Sequence, residues 1–469
     1  AQAIEMLFPT RIADYCSELA HHYSQSGNIP KAVEYLHRAA QQALRHAAHP
    51  DAMNHLGAAL ALLERLPDTP MHAHWELTLL LSLGPVLMDV RGYGATEVGV
   101  TYRRALELCE RTGEASQRFA TQLGLRIHHV VRGEYAIATD LSNQMLGIAR
   151  DANDPGMLVE AHGALGVCFF LQGAFGAARA NLEQACAIYD PKQHQAHVFA
   201  HGVDPGIRAL NYLVLTLWFQ GYPEQALKRS TEALTLAQGL AYGPSLAFSL
   251  TYAAHLHQLR REPALAGERA DAVIAVSTEH GLPYWLAWGT LLRGWATSEQ
   301  GNIQDGIAQM RLGLDAQRAA GGEDLRPYSL ALLADSYWRA GDKRAARDTL
   351  EEAMAIVEKS GEHCYEAELC RLTGIYLAGE AIKDGTAPVR DNEAVDCFQR
   401  AIARARRQGA RALELRAASD LARLLQRQGK TVEARRALSE VYSCFTEGFG
   451  TSDLREAKAL LDALDARAG

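Results

Sequence analysis

Three histidines and an aspartate stand close together in the stretch YDPKQHQAHVFAHGVDPG, residues 189–206. His194, His197 and His201 occupy positions i, i+3 and i+7, the spacing of one helix face, and Asp204 follows. Imidazoles so arranged raise the question of zinc. On a straight helix, however, i and i+7 are about 10.5 Å apart along the axis. One zinc held at about 2 Å by each ring cannot take all three. Asp190-Pro191 and Asp204-Pro205 each pair a capping residue with a proline suited to the first helical position. These residues predict a short inserted helix over 191–201, with its histidine face packed on a larger body, and a new element from 205. No metal site is assigned.

Other candidate chemistry has weaker support. QGKT at 428–431 ends like a phosphate loop, but Leu424 stands where the motif needs glycine, and no strand precedes it. Gly429 reads as a turn residue. Cys364 and Cys370 do not share a helix face and read as small buried hydrophobes. RAIARARRQGARALELR at 400–416, with Arg423, Arg427, Arg435 and Arg436, gives the C-terminal end a positive bias. Acidic neighbours such as Glu414 and Asp420 fit a solvated, ion-paired helix face better than a nucleic-acid surface. No Ser-His-Asp, HExxH or paired-carboxylate arrangement stands out, so no catalytic residue is assigned.

The elements that carry these residues repeat. Turn segments around Gly133, Gly173, Gly221, Arg261, Gly301 and Gly341 are spaced 40, 48, 40, 40 and 40 apart. The inserted helix accounts for the extra eight. Apolar residues recur every three or four positions on both sides of each turn, the period of amphipathic helices. Small and large apolar residues also alternate in register: Leu165, Gly166, Ala178, Leu182 and Ala185; Leu333, Ala334, Ala346, Leu350 and Ala353; Leu421, Ala422, Ala434, Leu438 and Val441. This is the pattern of tetratricopeptide repeats, lengthened from the usual 34 residues. The expected fold is all-α: a right-handed superhelical solenoid of about ten or eleven helical hairpins with a period near 40. Residues 1–70 form a helical junction or first repeat, ending at the prolines of LERLPDTP. Residues 71–377 form the regular superhelix, and 378–469 the C-terminal repeats and capping helix. AGEAIKDGTAPVRDN at 378–392 reads as a surface loop.

Composition agrees. The 469 residues are 48% apolar with net charge −8, enough for a large core. Eight cysteines without paired spacing suit a reduced, cytoplasmic protein. No apolar run is long enough to span a bilayer. The start, AQAIEMLFPT, lacks an initiator methionine and reads as a fragment or processed chain.

The segments AVEYLHRAAQQAL (32–44), EAHGALGVCFFLQG (160–173), LWFQGYPEQALKRSTEALTLA (217–237) and LHQLRREPALAGERADAVIAVSTEHGLPYWLAWGTLLRGWA (256–296) carry a resemblance. They resemble the C-terminal repeat region of bacterial regulators that join a STAND/AAA-type ATPase to tetratricopeptide-like repeats, often behind a class III adenylate or guanylate cyclase. RALELCERTG (104–113) and RPYSLALLADSYWRAG (326–341) extend the match, which thins after about 380. The resemblance implies a sensor or regulatory arm of a signal-transduction ATPase. Its partners would be a protein, a peptide or a small-molecule effector, together with its own upstream ATPase and output domains. ATP and Mg would belong to those domains, and no cofactor is expected in this region. A passive scaffold and a helical-repeat metalloprotein or hydrolase are the alternatives.

In such repeats the first helix of each unit lines the concave side. The register places Arg208, Asn211 and Trp218, then Tyr252 and His255, then Trp288 and Trp295, then Tyr328, Asp335 and Trp338 inward. These are the candidate groove residues, with His194, His197 and His201 as a possible lid. The alternative is that the rings fill a tight inner radius.

Overall fold

The computed structural model describes all residues except 47, 113, 195–202, 385–386 and 469, so His197 and His201 lie outside the described residues. Among the described residues every regular element is helical. Consecutive helices pair across short turns from Cys16–Gln25 with Ile29–Arg45 to Arg411–Arg427 with Thr431–Tyr442. His49–Leu63 stands as an additional single helix, and Ser452–Ala468 closes the C-terminal end. The break between Leu63 and Pro70 falls at the LERLPDTP prolines.

The turns behave as their residues require. Gly133, Gly173, Gly221, Gly301, Gly341 and Gly429 all have positive φ, a conformation open to glycine at little cost. Arg261, at the equivalent position, adopts it too, with φ 60°. Helix starts are fixed by caps. The side chains of Asp154, Asp204 and Asp342 accept from the amides of Met157, Ile207 and Ala345. Ala178, Ala346 and Ala434, with the leucines and the Ala or Val residues that follow them, are buried where the helices of each unit cross. At Gly166 a Cβ would sit 2.5 Å from Leu182 Cγ, so only glycine allows this approach.

The next repeat opens at Pro205, as its capping pair predicts; of the expected inserted helix over 191–201, Pro191–His194 is helical and the rest lies outside the described residues. The stretch 378–392 departs from the expected loop. The helix Glu366–Asp384 continues through its first half, and Ala387–Gln408 begins in its second. Ala, Glu and Lys favour helix in AGEAIKD, and Pro388 falls in the first turn of the second helix, where its missing N–H costs nothing.

Successive turns of the superhelix rest on one another. The amides of Glu323 and Asp324 donate to the carbonyl of Val131 at 2.7 and 3.1 Å. Those of His363 and Cys364 donate to the carbonyl of Leu171 at 2.9 and 3.1 Å. Arg261 meets Asp453. Val131 and Glu323, Leu171 and His363, and Arg261 and Asp453 are all 192 positions apart, so one superhelical turn takes just under five units. Gly92 and Gly94 pack against Ala320 and Gly321 on the same seam.

Candidate functional site

The inner face of the superhelix holds two cavities in sequence. The first, about 60 Å³, lies between the helices of the first turn and the seam segment that carries Asp324 and Leu325. Its walls are mainly rings: Tyr93, Tyr212, Phe248, Tyr252, Tyr284, Trp285 and Trp288. Phe248 and Tyr252 stack at 4.5 Å. Of the charged groups here, Arg208 and Asp324 are buried and paired, whereas buried Arg126 donates only to the Ala164 carbonyl among the described residues. Arg208 Nη1 donates to Glu160 Oε2 at 2.6 Å, and its Nη2 donates to the carbonyl of Val203. Tyr284 donates to Asp324 at 2.7 Å. Burial nonetheless raises the Asp324 pKa to about 7. It lowers the His255 pKa to about 3, so that imidazole is neutral at ordinary pH. Beneath the same seam segment, burial raises the Glu362 pKa to about 8, although Tyr135 and the Leu325 amide donate to it. Tyr93 Oη, Arg126 Nε, His255 Nε2 and Trp285 Nε1 have no hydrogen-bond partner among the described residues. A space of this size admits about two waters.

The second cavity is a chamber of about 480 Å³. Residues from Gln258 to Glu456 form its wall, drawn from the first helices of successive units and from the capping helix. Charge dominates this wall. Arg371 forks onto Glu368 at 2.7 and 2.8 Å and reaches Asp420 at 2.5 Å. Arg416 donates to Asp453 at 2.8 Å and lies 4.9 Å from the centre of the Trp218 ring. Arg423 joins Asp420 and Glu456, Arg261 joins Asp453 and Glu456, and Arg339 joins Glu299. Burial pushes the Glu368 carboxyl up, but Arg371 and Arg416 outweigh it and leave its pKa below the ordinary value. Asp335 differs: burial raises its pKa in spite of Arg371 and Arg339. It forms no hydrogen bond or ion pair with the described residues.

The inward positions are thus divided. Arg208, Tyr252, His255 and Trp288 line the first cavity; Trp295 and Asp335 line the chamber. The other four candidates serve packing. Asn211 is buried and donates to Ile207 and Ser249, and Trp218 lies under Arg416. Tyr328 stacks on His255 at 4.0 Å and donates to Gln258, while Trp338 stacks on Tyr376 at 4.3 Å. The Trp288 ring is 3% exposed, so the rings fill the inner radius. His194 ends its short helix, and the proposed lid otherwise falls on undescribed residues. Among the described residues no group of three or more His, Cys, Asp or Glu is placed to hold a metal ion. Cys364 and Cys370 are buried thiols. Gly429 is a repeat turn. Of the basic C-terminal arginines, Arg404, Arg406, Arg416, Arg423 and Arg435 are all ion-paired. The charged wall itself was not anticipated. Its local signs are two i,i+3 pairs on inward helices, Glu368–Arg371 and Asp420–Arg423.

Comparison with known proteins bears on this architecture. No family model matches the chain. An uncharacterized protein of Rhizobium meliloti (strain 1021) is 23% identical over 363 residues, 77% of this chain and 35% of that protein. The chain thus spans about a third of the length of that relative. A Rap protein solved in complex with Competence and Sporulation Factor overlays with a TM-score of 0.57 at 10% identity, covering 79% of this chain and 99% of that one. The human IFIT1 dimer with m7Gppp-AAAA gives 0.45 at 14% identity, covering 97% and 95%. The fold is a TPR-like helical solenoid. Among the described residues no helix is long and apolar enough to cross a membrane.

Proposed function

We propose that this chain is the recognition arm of a longer regulator and takes a peptide, a protein segment or a small effector into the charged chamber, without catalysing a reaction of its own. The chamber carries this reading. Its volume falls in the range of small-ligand pockets, about 300–1,000 Å³, whereas the first cavity falls far below it. A solenoid also presents a long inner surface for its mass. The Rap protein with the same fold was solved with Competence and Sporulation Factor bound, which supports a bound factor here. The length of the Rhizobium meliloti relative is consistent with further domains. By resemblance the parent is a cytoplasmic STAND-type ATPase, in some cases with a nucleotide cyclase. Binding would bias such a parent only if the ligand prefers one of its states.

The test is selection of a random hexapeptide library on the chain, followed by Ile375→Trp, which puts a large ring into the chamber from a half-buried wall position. Selected peptides should lose binding to Ile375→Trp with the fold intact by circular dichroism. They should keep binding to Arg406→Ala with Arg407→Ala. The opposite result would move the site to the basic C-terminal face.

A further inference from the structure

Building on that reading of the chamber, we propose that its ligand carries a cationic ammonium or guanidinium group and that Asp335 is the carboxylate that receives it. The wall has five arginines and six carboxylates. Each arginine is paired, and the pairs use every carboxylate except Asp335. With all of these groups ionised, the wall carries one negative charge in excess, at Asp335. Asp335 is half-buried, and burial already costs its ionised form. A cation brought against it relieves that cost, whereas an anion adds to it. Trp295 and Tyr365, both largely buried, border the same chamber. An anion could pair here only by drawing an arginine off its carboxylate and stranding that carboxylate, so the existing pairs disfavour anions a second time.

The shared chemistry could come from a basic peptide side chain or from a free guanidine, so three probes are used with calorimetry: acetyl-Gly-Arg-Gly-amide, its citrulline counterpart and agmatine. Citrulline keeps the shape of arginine and removes its charge. Wild-type chain should bind the arginine peptide about tenfold tighter than the citrulline peptide, the size expected of a hydrogen bond to a charged group. Asp335→Asn, which has no partner among the described residues to lose, should abolish that preference. Tighter binding of agmatine than of the peptide would identify a free guanidine as the source, and the reverse a peptide. Equal binding of arginine and citrulline peptides to wild-type chain overturns the role of Asp335 and leaves the chamber as a site, and this comparison needs no variant to fold. Arginine-peptide binding that survives Ile375→Trp, or no binding of any probe at millimolar concentration, overturns the chamber reading and this inference with it.

Discussion

The two cavities lie on the same inner face, are built from the same repeated helix pairs, and have opposite chemistry. In the first, inward positions carry rings, the turn above rests directly on them, and little space remains. In the second, inward positions carry long charged side chains that pair with one another within and between helices and leave an open chamber. The helix-pair scaffold therefore does not decide whether a solenoid interior is core or site. Inward side chains that satisfy themselves by packing close the space, and those that satisfy themselves by ion pairs hold it open.

The largest expected effect tests that contrast through its buried charges. Arg208→Leu should strand Glu160, which is 1% exposed, and cost about 3–5 kcal/mol in urea denaturation. Arg371→Leu should cost less, about 1–3 kcal/mol. Glu368 keeps Arg416 at 3.7 Å and borders a chamber that admits water. Equal losses would mean that the chamber is as dry as the first cavity.

The pH dependence should also separate the regions, with opposite signs. Asp324 and Glu362 have pKa values of about 7 and 8 in the folded chain, above the ordinary carboxylate value near ~4. The folded state then holds protons that the unfolded state has lost. The stability these two groups contribute is full below pH ~4 and is lost as pH rises through 7 and 8. Glu368 is shifted down, so its contribution is present above pH ~4 and lost in acid, as pH falls through its folded value. Melting temperature should thus fall by several degrees between pH 5 and 9, and Asp324→Asn with Glu362→Gln should flatten that limb. Glu368→Gln should leave the alkaline limb alone and blunt the loss below pH 4. An alkaline limb unchanged in the double variant would show that the seam acids do not hold protons.

Part of this was legible from residue types. The turn glycines at a period of 40, the alanine–leucine register and the Asp-Pro starts are local signals, each enforced within one unit. They gave the helix pairs and put Arg208, Tyr252, His255, Trp288, Trp295 and Asp335 at inward positions, where the structure has them lining the two cavities. The division into two cavities was not legible. It depends on the seam, and the seam depends on small rotations between units summed over nearly five of them. The arginines of the chamber were equally hidden. Arg261 and Arg416 share Asp453 from positions 192 and 37 residues away, and no local pattern marks such partners.

The smallest effect is expected where seam and chamber meet, at Arg261. An L-residue in the left-handed region costs about 1–2 kcal/mol, and the other turns at this position use glycine. Arg261 holds Glu456 at 2.8 Å and Asp453 at 3.2 Å, tying the chamber wall to the capping helix. Such partly exposed pairs contribute about 0–1 kcal/mol. Arg261→Gly removes both the strain and the pairs, and it adds freedom to the unfolded chain worth about 0.4–1 kcal/mol. Its net change should therefore lie within about 1 kcal/mol of zero. Arg261→Ala keeps the strain and loses the pairs, so it should be the less stable variant. The gap between Gly and Ala reads the strain, and the gap between Arg and Ala reads the pairs. Raising salt to 1 M should close the second gap and leave the first unchanged, because screening acts on charges and not on φ. If Ala proves as stable as Gly, the turn is not strained, and Arg261 stands there without a backbone cost for the seam contact to offset.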